Sequence, residues 1–477
     1  MIKRHTLLCL AITSLYTGAY AADAKETVST LQDQKQVAVT IYNNNLALVK
    51  DQRRVQLDKG INTLALRDVS AQIRPETALL HSLSSPGSLS LLEQNFDFDL
   101  LTPQKLLEKY TGKTVTLIRM NPATGAETAE RAQVLSTNEG AVFRVGNRIE
   151  TGMPDRIVYD EVPENLRDRP TLVTQLENKG PADQTIELSY LTTGLSWKAD
   201  YVAELNAAEN RLDLTGWVTL TNTSGAHYPN AKLQLVAGDV NMVREQPVME
   251  DMRVKSMAVA APQMAEESLL EYHLYTLDRP TTLAQNQTKQ VSLLTAANVP
   301  VRKEYLLRGA EHYYHGDYDD LGQKLKVGVF LEFDNKQASN LGMPLPKGIL
   351  RVYKKDNAGA AQFVGEDNID HTPKNETVRA KLGDAFDVTA NKKQMDFKKL
   401  PSPEKGTGLF ESAYEIVIKN ARKDEVTVTV QEPIPGDWRM VSKSHPHKKA
   451  TSNIAEWHIK VPAEGQTTLT YRVQVKH

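Results

Sequence analysis

The chain has 477 residues and one cysteine, and its 57 basic and 59 acidic residues give a formal net charge of −2. Because these charges balance and no long basic run occurs, the composition argues against nucleic-acid binding and against a polybasic membrane patch. Hydrophobic residues make up 40% of the chain, which is enough for packed cores. The composition therefore excludes global disorder, and the length predicts about two to four domains.

The N-terminus has the layout of a secretory signal peptide. Lys3 and Arg4 form a positive start, Thr6–Leu15 is mostly apolar, and Ala19–Ala21 is a small-x-small cleavage site. The apolar stretch is shorter than the ~20 residues that span a bilayer. We therefore expect residues 1–21 to be a signal peptide cleaved near Ala21. The mature chain should have no transmembrane span and should be periplasmic or secreted.

The single cysteine, Cys9, lies inside the apolar stretch of the signal peptide. Leu8 precedes it, whereas a lipoprotein cysteine follows a small residue at the cleavage point, so we do not expect lipidation. The mature chain then has no thiol. This excludes disulfides, thiolate metal sites and cysteine nucleophiles.

Strand patterns begin directly after the signal peptide. In the segment 22–100, Val37, Val39 and Ile41 alternate with polar neighbours, as a half-buried strand requires. The segment 101–165 begins with a helix start at Thr102 and continues with five short strand candidates separated by turn residues. It predicts a small inserted β-barrel of SH3-like size.

Longer strands follow this insert. We expect a β-sandwich segment at 166–238, a flexible Met/Ala-rich loop at 239–268, a β-rich continuation at 269–410 with a Lys/Pro/Gly-rich break over 391–408, and a C-terminal β-sandwich segment at 411–477. The predicted fold class is mainly β, with an Ig-like β-sandwich body, the small SH3-like barrel and few short helices.

Several long stretches resemble the family called domain of unknown function 4139. They include the strings LTTGLSWKADYVAEL and PGDWRM, and they are spread along nearly all of the mature chain: Ile41–Leu57, Leu191–Leu205, Gly216–Val240, Glu271–Leu294, Val329–Asp356 and Pro435–Met440. The resemblance implies an exported, β-rich protein and provides no agreed catalytic residues. A distantly related, mucoidy inhibitor-like branch carries a coiled coil, which this chain lacks.

Two groups of residues are candidates for a site. Trp197, Lys198 and Tyr201 could form an aromatic binding surface with a cation–π partner, although aromatic residues in strand alternation favour a place in the core. A second group could ligate a divalent metal ion, or could lie in a solvated loop: His312, His315, Asp317 and Asp319.

Five methionines cluster in the 239–268 loop. Their thioethers could bind copper(I), or the loop could pack as an adaptable apolar surface on a partner. The irregular spacing favours the second interpretation.

The chain has no Gly-x-Ser-x-Gly elbow, His-Glu-x-x-His pair or phosphate-binding glycine loop, and we predict no cofactor. The leading hypothesis is a non-catalytic envelope protein that binds an envelope protein or a glycan through sheet edges. The alternatives are an envelope hydrolase acting on glycan or peptide, and a periplasmic metal-handling protein. The ligand and the oligomeric state are left open.

Overall fold

The computed structural model describes residues 26–163, 166–238, 264–269, 272–318, 321–401 and 408–476. The predicted signal peptide, most of the Met/Ala-rich loop and Asp319 lie outside these residues. Within them the chain forms two compact units. The first unit holds residues up to Val37, Val49–Thr192 and Ser224–His227, and the second holds Ala38–Leu48, Thr193–Thr223 and the chain from Tyr228 onward.

Extended strands make up most of both units, which confirms the predicted mainly β fold class. The strands before residue 193 are β1 (Thr27–Ser29), β2 (Gln34–Tyr42), β3 (Leu46–Gln56), β4 (Gly60–Arg67), β5 (Leu79–Ser82), β6 (Leu89–Asp97), β7 (Thr114–Met120), β8 (Glu127–Ser136), β9 (Val142–Val145), β10 (Arg148–Thr151), β11 (Arg156–Val158), β12 (Thr171–Asn178) and β13 (Asp183–Thr192).

The remaining strands all belong to the second unit. They are β14 (Leu195–Leu205), β15 (Arg211–Asn222), β16 (Tyr228–Ala237), β17 (Met264–Leu269), β18 (Tyr272–Leu277), β19 (Thr281–Leu283), β20 (Gln287–Pro300), β21 (Arg302–Arg308), β22 (Gly322–Asp334), β23 (Gly348–Lys355), β24 (Ala361–Ile369), β25 (Thr377–Leu400), β26 (Leu409–Asn420), β27 (Val426–Pro433), β28 (Asp437–Lys443), β29 (Lys448–Thr451), β30 (Ile454–Val461) and β31 (Gly465–Lys476).

Helices are few and short in the described residues, as the sequence predicts. One α-helix, α1, spans Pro103–Lys109. The others are 3₁₀ turns at Leu31–Asp33, Pro75–Thr77, Glu311–Tyr314 and Gln337–Ser339.

The first unit contains a four-stranded sheet in the order β1-β4-β12-β6, and β5 pairs with β13. Its inserted segment forms a separate five-stranded antiparallel sheet in the order β10-β9-β8-β7-β11. The Thr102 side chain accepts a hydrogen bond from the Lys105 backbone N–H (3.2 Å) and so caps α1. Leu107 and Tyr110 then pack on the core of this sheet.

The insert differs from the predicted barrel in one respect. Strands β10 and β11 are its two edges and do not pair with each other in the part of the chain that the structure describes, so the sheet stays open. Because α1 packs against the same apolar core, that core is covered without closure of the sheet.

In the second unit, β14 lies at the centre of a five-stranded sheet in the order β20-β15-β14-β23-β24. It runs antiparallel to β15 and parallel to β23. Strand β16 pairs in parallel with Ala38–Tyr42 of β2 and antiparallel with β18. Within β14, side chains at alternate positions are buried.

The largest sheet of the second unit has nine strands in the order β28-β31-β26-β25-β22-β21-β27-β30-β29. A flat sheet would hold its end strands ~38 Å apart. The end strands β28 and β29 are joined through Ser444–His447 alone, and a chain of that length reaches only ~17 Å. The sheet must therefore fold over on itself, which brings the Trp457 and Tyr471 rings to a centroid distance of 5.0 Å.

Strand β25 corrects one expectation about the chain's organisation. The frequent lysine, proline and glycine residues of the segment 391–408 predict a break in the β structure. Instead β25 continues to Leu400 and pairs with β26 from Val388 to Leu400. Its Lys392 and Gln394 share the buried face with Val388 and Ala390, because their polar groups find partners inside the fold.

Candidate functional site

The aromatic residues predicted for a binding surface do not lie together on one surface. Trp197 and Tyr201 are buried on one face of β14, where the Tyr201 hydroxyl donates a hydrogen bond to the Pro346 carbonyl (2.8 Å). Lys198 projects from the opposite face, and 59% of its side chain is exposed. Strand alternation thus separates the cation from the two rings.

The predicted metal-ligating residues lie on and just after the 3₁₀ turn Glu311–Tyr314. The His312 ring packs edge-on against Tyr313 (4.5 Å between centroids), and His315 and Asp317 follow in the next loop. Asp319 lies outside the described residues. Within the described ranges, no group of three or more histidine, cysteine, aspartate or glutamate side chains is placed to hold a metal ion.

The same segment covers a polar part of the folded sheet's interior. The Tyr414 hydroxyl donates to the Tyr313 carbonyl (2.6 Å), and the Gln394 side-chain amide donates to the Gly316 carbonyl (3.0 Å). The Tyr318 N–H in turn donates to the Gln394 side-chain oxygen (2.6 Å). The histidine- and tyrosine-rich motif is therefore attached to the core by hydrogen bonds.

Beneath this segment lies a buried ion pair. Lys392 Nζ is 2.6 Å from Glu432 Oε2, and each side chain is only 1% exposed. The Tyr314 hydroxyl donates to the same carboxylate oxygen (2.9 Å) and is 2.8 Å from the Tyr471 hydroxyl. Lys392 Nζ also lies over the Tyr414 ring, 4.8 Å from its centroid.

Burial controls the protonation of this cluster. It lowers the pKa of Lys392, while the neighbouring Glu432 carboxylate acts in the opposite direction. It also raises the pKa values of Tyr314 and Tyr471 well above their usual range, so both hydroxyls keep their protons. The cluster therefore contains one amine and one carboxyl group in a solvent-shielded, tyrosine-lined space.

A second feature is an irregularity in β25. Lys326 of β22 pairs with Thr389, whereas Gly328 pairs with Asp384. One residue of β22 therefore faces four residues of β25, 385–388, which bulge out of the ladder. The bulge presents Phe386 with 95% of its surface exposed. Bulges of this kind re-aim side chains and are frequent next to functional sites.

Phe386 lines a cleft in the second unit that has a volume of about 290 Å³. The cleft is lined by apolar side chains from β21, β22, β24 and β25, among them Tyr305, Leu331 and Val364. Strand β24 comes so close to β25 that a Cβ on Gly365 would lie 2.3 Å from the Leu382 carbonyl oxygen. Only glycine permits this wall of the cleft.

Charged groups line the cleft beside its apolar walls. The ammonium groups of Lys303 and Lys354 both bond the Glu209 carboxylate, with Lys354 at 2.5 Å. Asp384 is similarly shared by Lys326 (3.3 Å) and Lys381 (3.2 Å). Each of these carboxylates thus faces two ammonium groups, and the lining also contains Asp387 and Arg422.

The Glu209 carboxyl group has a shifted pKa. Burial alone would raise the pKa of Glu209, but the hydrogen bonds and charges of Lys303 and Lys354 outweigh it and lower the pKa to about 2. A carboxyl group whose pKa falls on folding adds stability above its unfolded value of ~4.3, and that stability disappears as the pH falls towards 2.

We expect the Glu209→Gln variant to lose about 2–3 kcal/mol of unfolding free energy at pH 7, and less as the pH falls below 4. Urea unfolding at pH 7 and at a pH below 4 measures the difference in unfolding free energy between the variant and the parent. The exposed Glu425 provides the control, since Glu425→Gln should leave the pH profile of the parent unchanged. An equal cost of Glu209→Gln at both pH values would contradict the assignment.

The sequence interpretation missed every residue of these two features. Lys392 had a usable signal, since it falls in strict alternation with the apolar Val388 and Ala390. Phe386 had none, because an aromatic residue in a strand is ordinarily counted as core.

Fold and site together describe a multi-sheet β protein with a charged pair inside a folded nine-stranded sheet and an amphipathic cleft beside a bulged strand. The family model "Domain of unknown function (DUF4139)" matches residues 186–477, and the chain belongs to this family. The matched range contains the whole cleft and the whole buried cluster. No curated protein matches the chain.

Proposed function

We propose that this is an exported envelope protein that binds a partner protein non-catalytically, in the cleft beside Phe386. The observation that carries the proposal is the exposure of this phenylalanine. A fully exposed aromatic ring on a bulged strand costs ~2 kcal/mol relative to a buried one. Phe386 extends the apolar walls of the cleft, and contiguous exposed apolar surface is typical of a contact that becomes buried in a complex.

The lining of the cleft indicates the chemistry of the occupant. Its volume of about 290 Å³ is near the lower end of ligand sites, which start at ~300 Å³, and suits a few side chains better than a large cofactor. The apolar walls suit an aliphatic or aromatic side chain. The ammonium groups of Lys303 and Lys354, which share the single Glu209 carboxylate, suit a second carboxylate. An acidic segment of polypeptide with apolar side chains meets both requirements.

Export rests on the N-terminal pattern of charged start, apolar stretch and Ala19–Ala21 cleavage site. Among the described residues, no helix combines the length and apolarity needed to cross a membrane. Cell fractionation followed by N-terminal sequencing tests this part. We expect envelope protein that begins at Ala22, and a cytosolic protein that still begins at Met1 would contradict it.

Binding is tested with two short fluorescein-labelled peptides of equal length, one alternating glutamate with phenylalanine and one alternating lysine with phenylalanine. We expect the acidic peptide to bind and the basic one to bind at least about tenfold more weakly. The Phe386→Ser variant should weaken the acidic peptide by about tenfold.

Phe98 offers a matched control for this experiment, because it is 69% exposed and belongs to the first unit. Phe98→Ser should leave the affinity unchanged, and neither substitution should lower the unfolding free energy by more than ~0.5 kcal/mol. Equal binding of the two peptides, or equal effects of the two serine variants, would overturn the proposal.

A further inference from the structure

The buried Lys392–Glu432 pair joins strands that are not neighbours in their sheet. Strands β25 and β27 are separated by β22 and β21 in the strand order, a distance of ~14 Å in a flat sheet. The 2.6 Å between Nζ and Oε2 is reached because both side chains point into the interior of the folded sheet. The pair is thus a direct link across that interior.

This pair lies in surroundings that disfavour an ion pair. Both side chains are 99% shielded from solvent, and tyrosine rings surround the amine, with Tyr313 at 4.3 Å and Tyr414 at 4.8 Å from Nζ to the ring centroids. Removing two charges from water costs several kcal/mol per ion in practice. Transfer of one proton from the ammonium to the carboxylate removes both charges and leaves a neutral amine beside a neutral carboxylic acid.

We propose that Lys392 and Glu432 condense into an intramolecular amide bond that permanently links β25 to β27. The Nζ lone pair attacks Glu432 Cδ, an Nζ–Cδ bond forms, and the bond from Cδ to one carboxyl oxygen breaks. One proton of the amine passes to the departing hydroxyl, so that one water leaves. No oxidant, cofactor or further reactant enters the reaction.

Neighbouring groups are placed to assist this step. The Tyr314 hydroxyl donates to Oε2 and is linked to the Tyr471 hydroxyl. Its proton stabilises the negative charge that develops on the carboxyl oxygen during the attack. Gly309 leaves room for the carboxyl group, since a Cβ there would lie 2.2 Å from Oε2. The carboxyl is therefore held in one position against the amine.

The link would replace the covalent cross-link that the chain otherwise lacks. Cys9 is the only cysteine, so no disulfide can form within one chain. A bond between Lys392 and Glu432 closes a long loop and thereby restricts the unfolded chain, as a disulfide does. It uses residues outside the Phe386 cleft, so it stands or falls independently of the proposed binding function.

The test is the intact mass of the purified full-length or processed protein, measured under denaturing conditions. We expect a mass lower than the sequence mass by one water, about 18 Da. A tryptic digest should contain a branched peptide in which cleavage after Lys392 is blocked and the peptide containing Glu432 is attached. The Lys393→Met variant, altered at the adjacent exposed residue, should keep the deficit, whereas Lys392→Met should restore the full mass.

The full sequence mass for the parent protein, with separate unbranched peptides, would overturn the proposal. So would a mass deficit that persists in Lys392→Met. If that variant fails to fold, the mass of the parent and the presence or absence of its branched peptide decide the question.

Discussion

Replacing Gly309 by alanine is expected to lower the free energy of unfolding by about 2–4 kcal/mol. The added Cβ would lie 2.2 Å from Glu432 Oε2 and 2.6 Å from Cδ. The carboxyl group cannot move aside, because Lys392 and Tyr314 hold it from the other directions. Either the carboxylate loses its partners in a solvent-shielded core, or the backbone at Gly309, just after β21, shifts.

Gly316 provides a control in the same stretch of chain. A Cβ on this residue would meet only the Tyr318 ring at 3.6 Å, which is ordinary contact. Urea unfolding of the two alanine variants should therefore give a large loss for Gly309→Ala and a change within ~0.5 kcal/mol for Gly316→Ala. Equal losses would show that the contact with Glu432 is not what requires glycine at 309.

The Lys392→Met variant is expected to lose about 3–5 kcal/mol of unfolding free energy. Methionine fills a similar volume but leaves the buried Glu432 carboxyl without its nitrogen partner, whichever form the pair takes. The remaining Tyr314 hydrogen bond satisfies only part of the carboxyl group. The cost therefore comes from an incompletely partnered polar group in a low-dielectric interior.

Lys393, the neighbouring lysine, provides the control for the Lys392→Met variant. Lys393 is exposed, whereas Lys392 is buried beside Glu432, because successive strand residues point to opposite faces. Thermal and urea unfolding should place Lys393→Met within ~0.5 kcal/mol of the parent. A loss below 1 kcal/mol for Lys392→Met would contradict the view that this cluster holds the folded sheet together.

Local sequence patterns predicted those strands and helices whose formation depends only on residues close to them in the chain. The alternation of Trp457, Ile459 and Val461 predicts a strand, and β30 has all three buried. Thr102 predicts the start of a helix, and its side chain caps α1. In both places the neighbouring residues are sufficient, because hydrophobic period and capping are local properties.

The arrangement of the nine-stranded sheet could not be predicted in this way. Its order depends on pairings such as the parallel one between β21 and β27, whose residues are more than a hundred positions apart. Nothing near Tyr305 in the sequence specifies Val428 as its partner. The sheet folds over on itself because the Ser444–His447 connection is short. This can be inferred only once β28 and β29 are known to be the two end strands of the sheet.

The residues of the candidate site could not be predicted from local sequence patterns either. Residues chosen for their chemistry, such as Trp197 and His312, lie in the core or in a covering turn. Phe386 resembled a core residue and is exposed, because the extra residues of a bulge change which way a strand side chain points. Lys392 alternates with buried apolar residues, but its partner Glu432 could not be predicted because a distant strand supplies it.

Photo-crosslinking in intact cells tests the binding role of the cleft most directly. A benzophenone amino acid is introduced at position 386, and in a second strain at position 98, which is also exposed. We expect irradiation to link the first variant to one envelope protein through an acidic, apolar segment, while the second gives no such adduct. The absence of any adduct at 386, or the same adducts at both positions, would contradict the account.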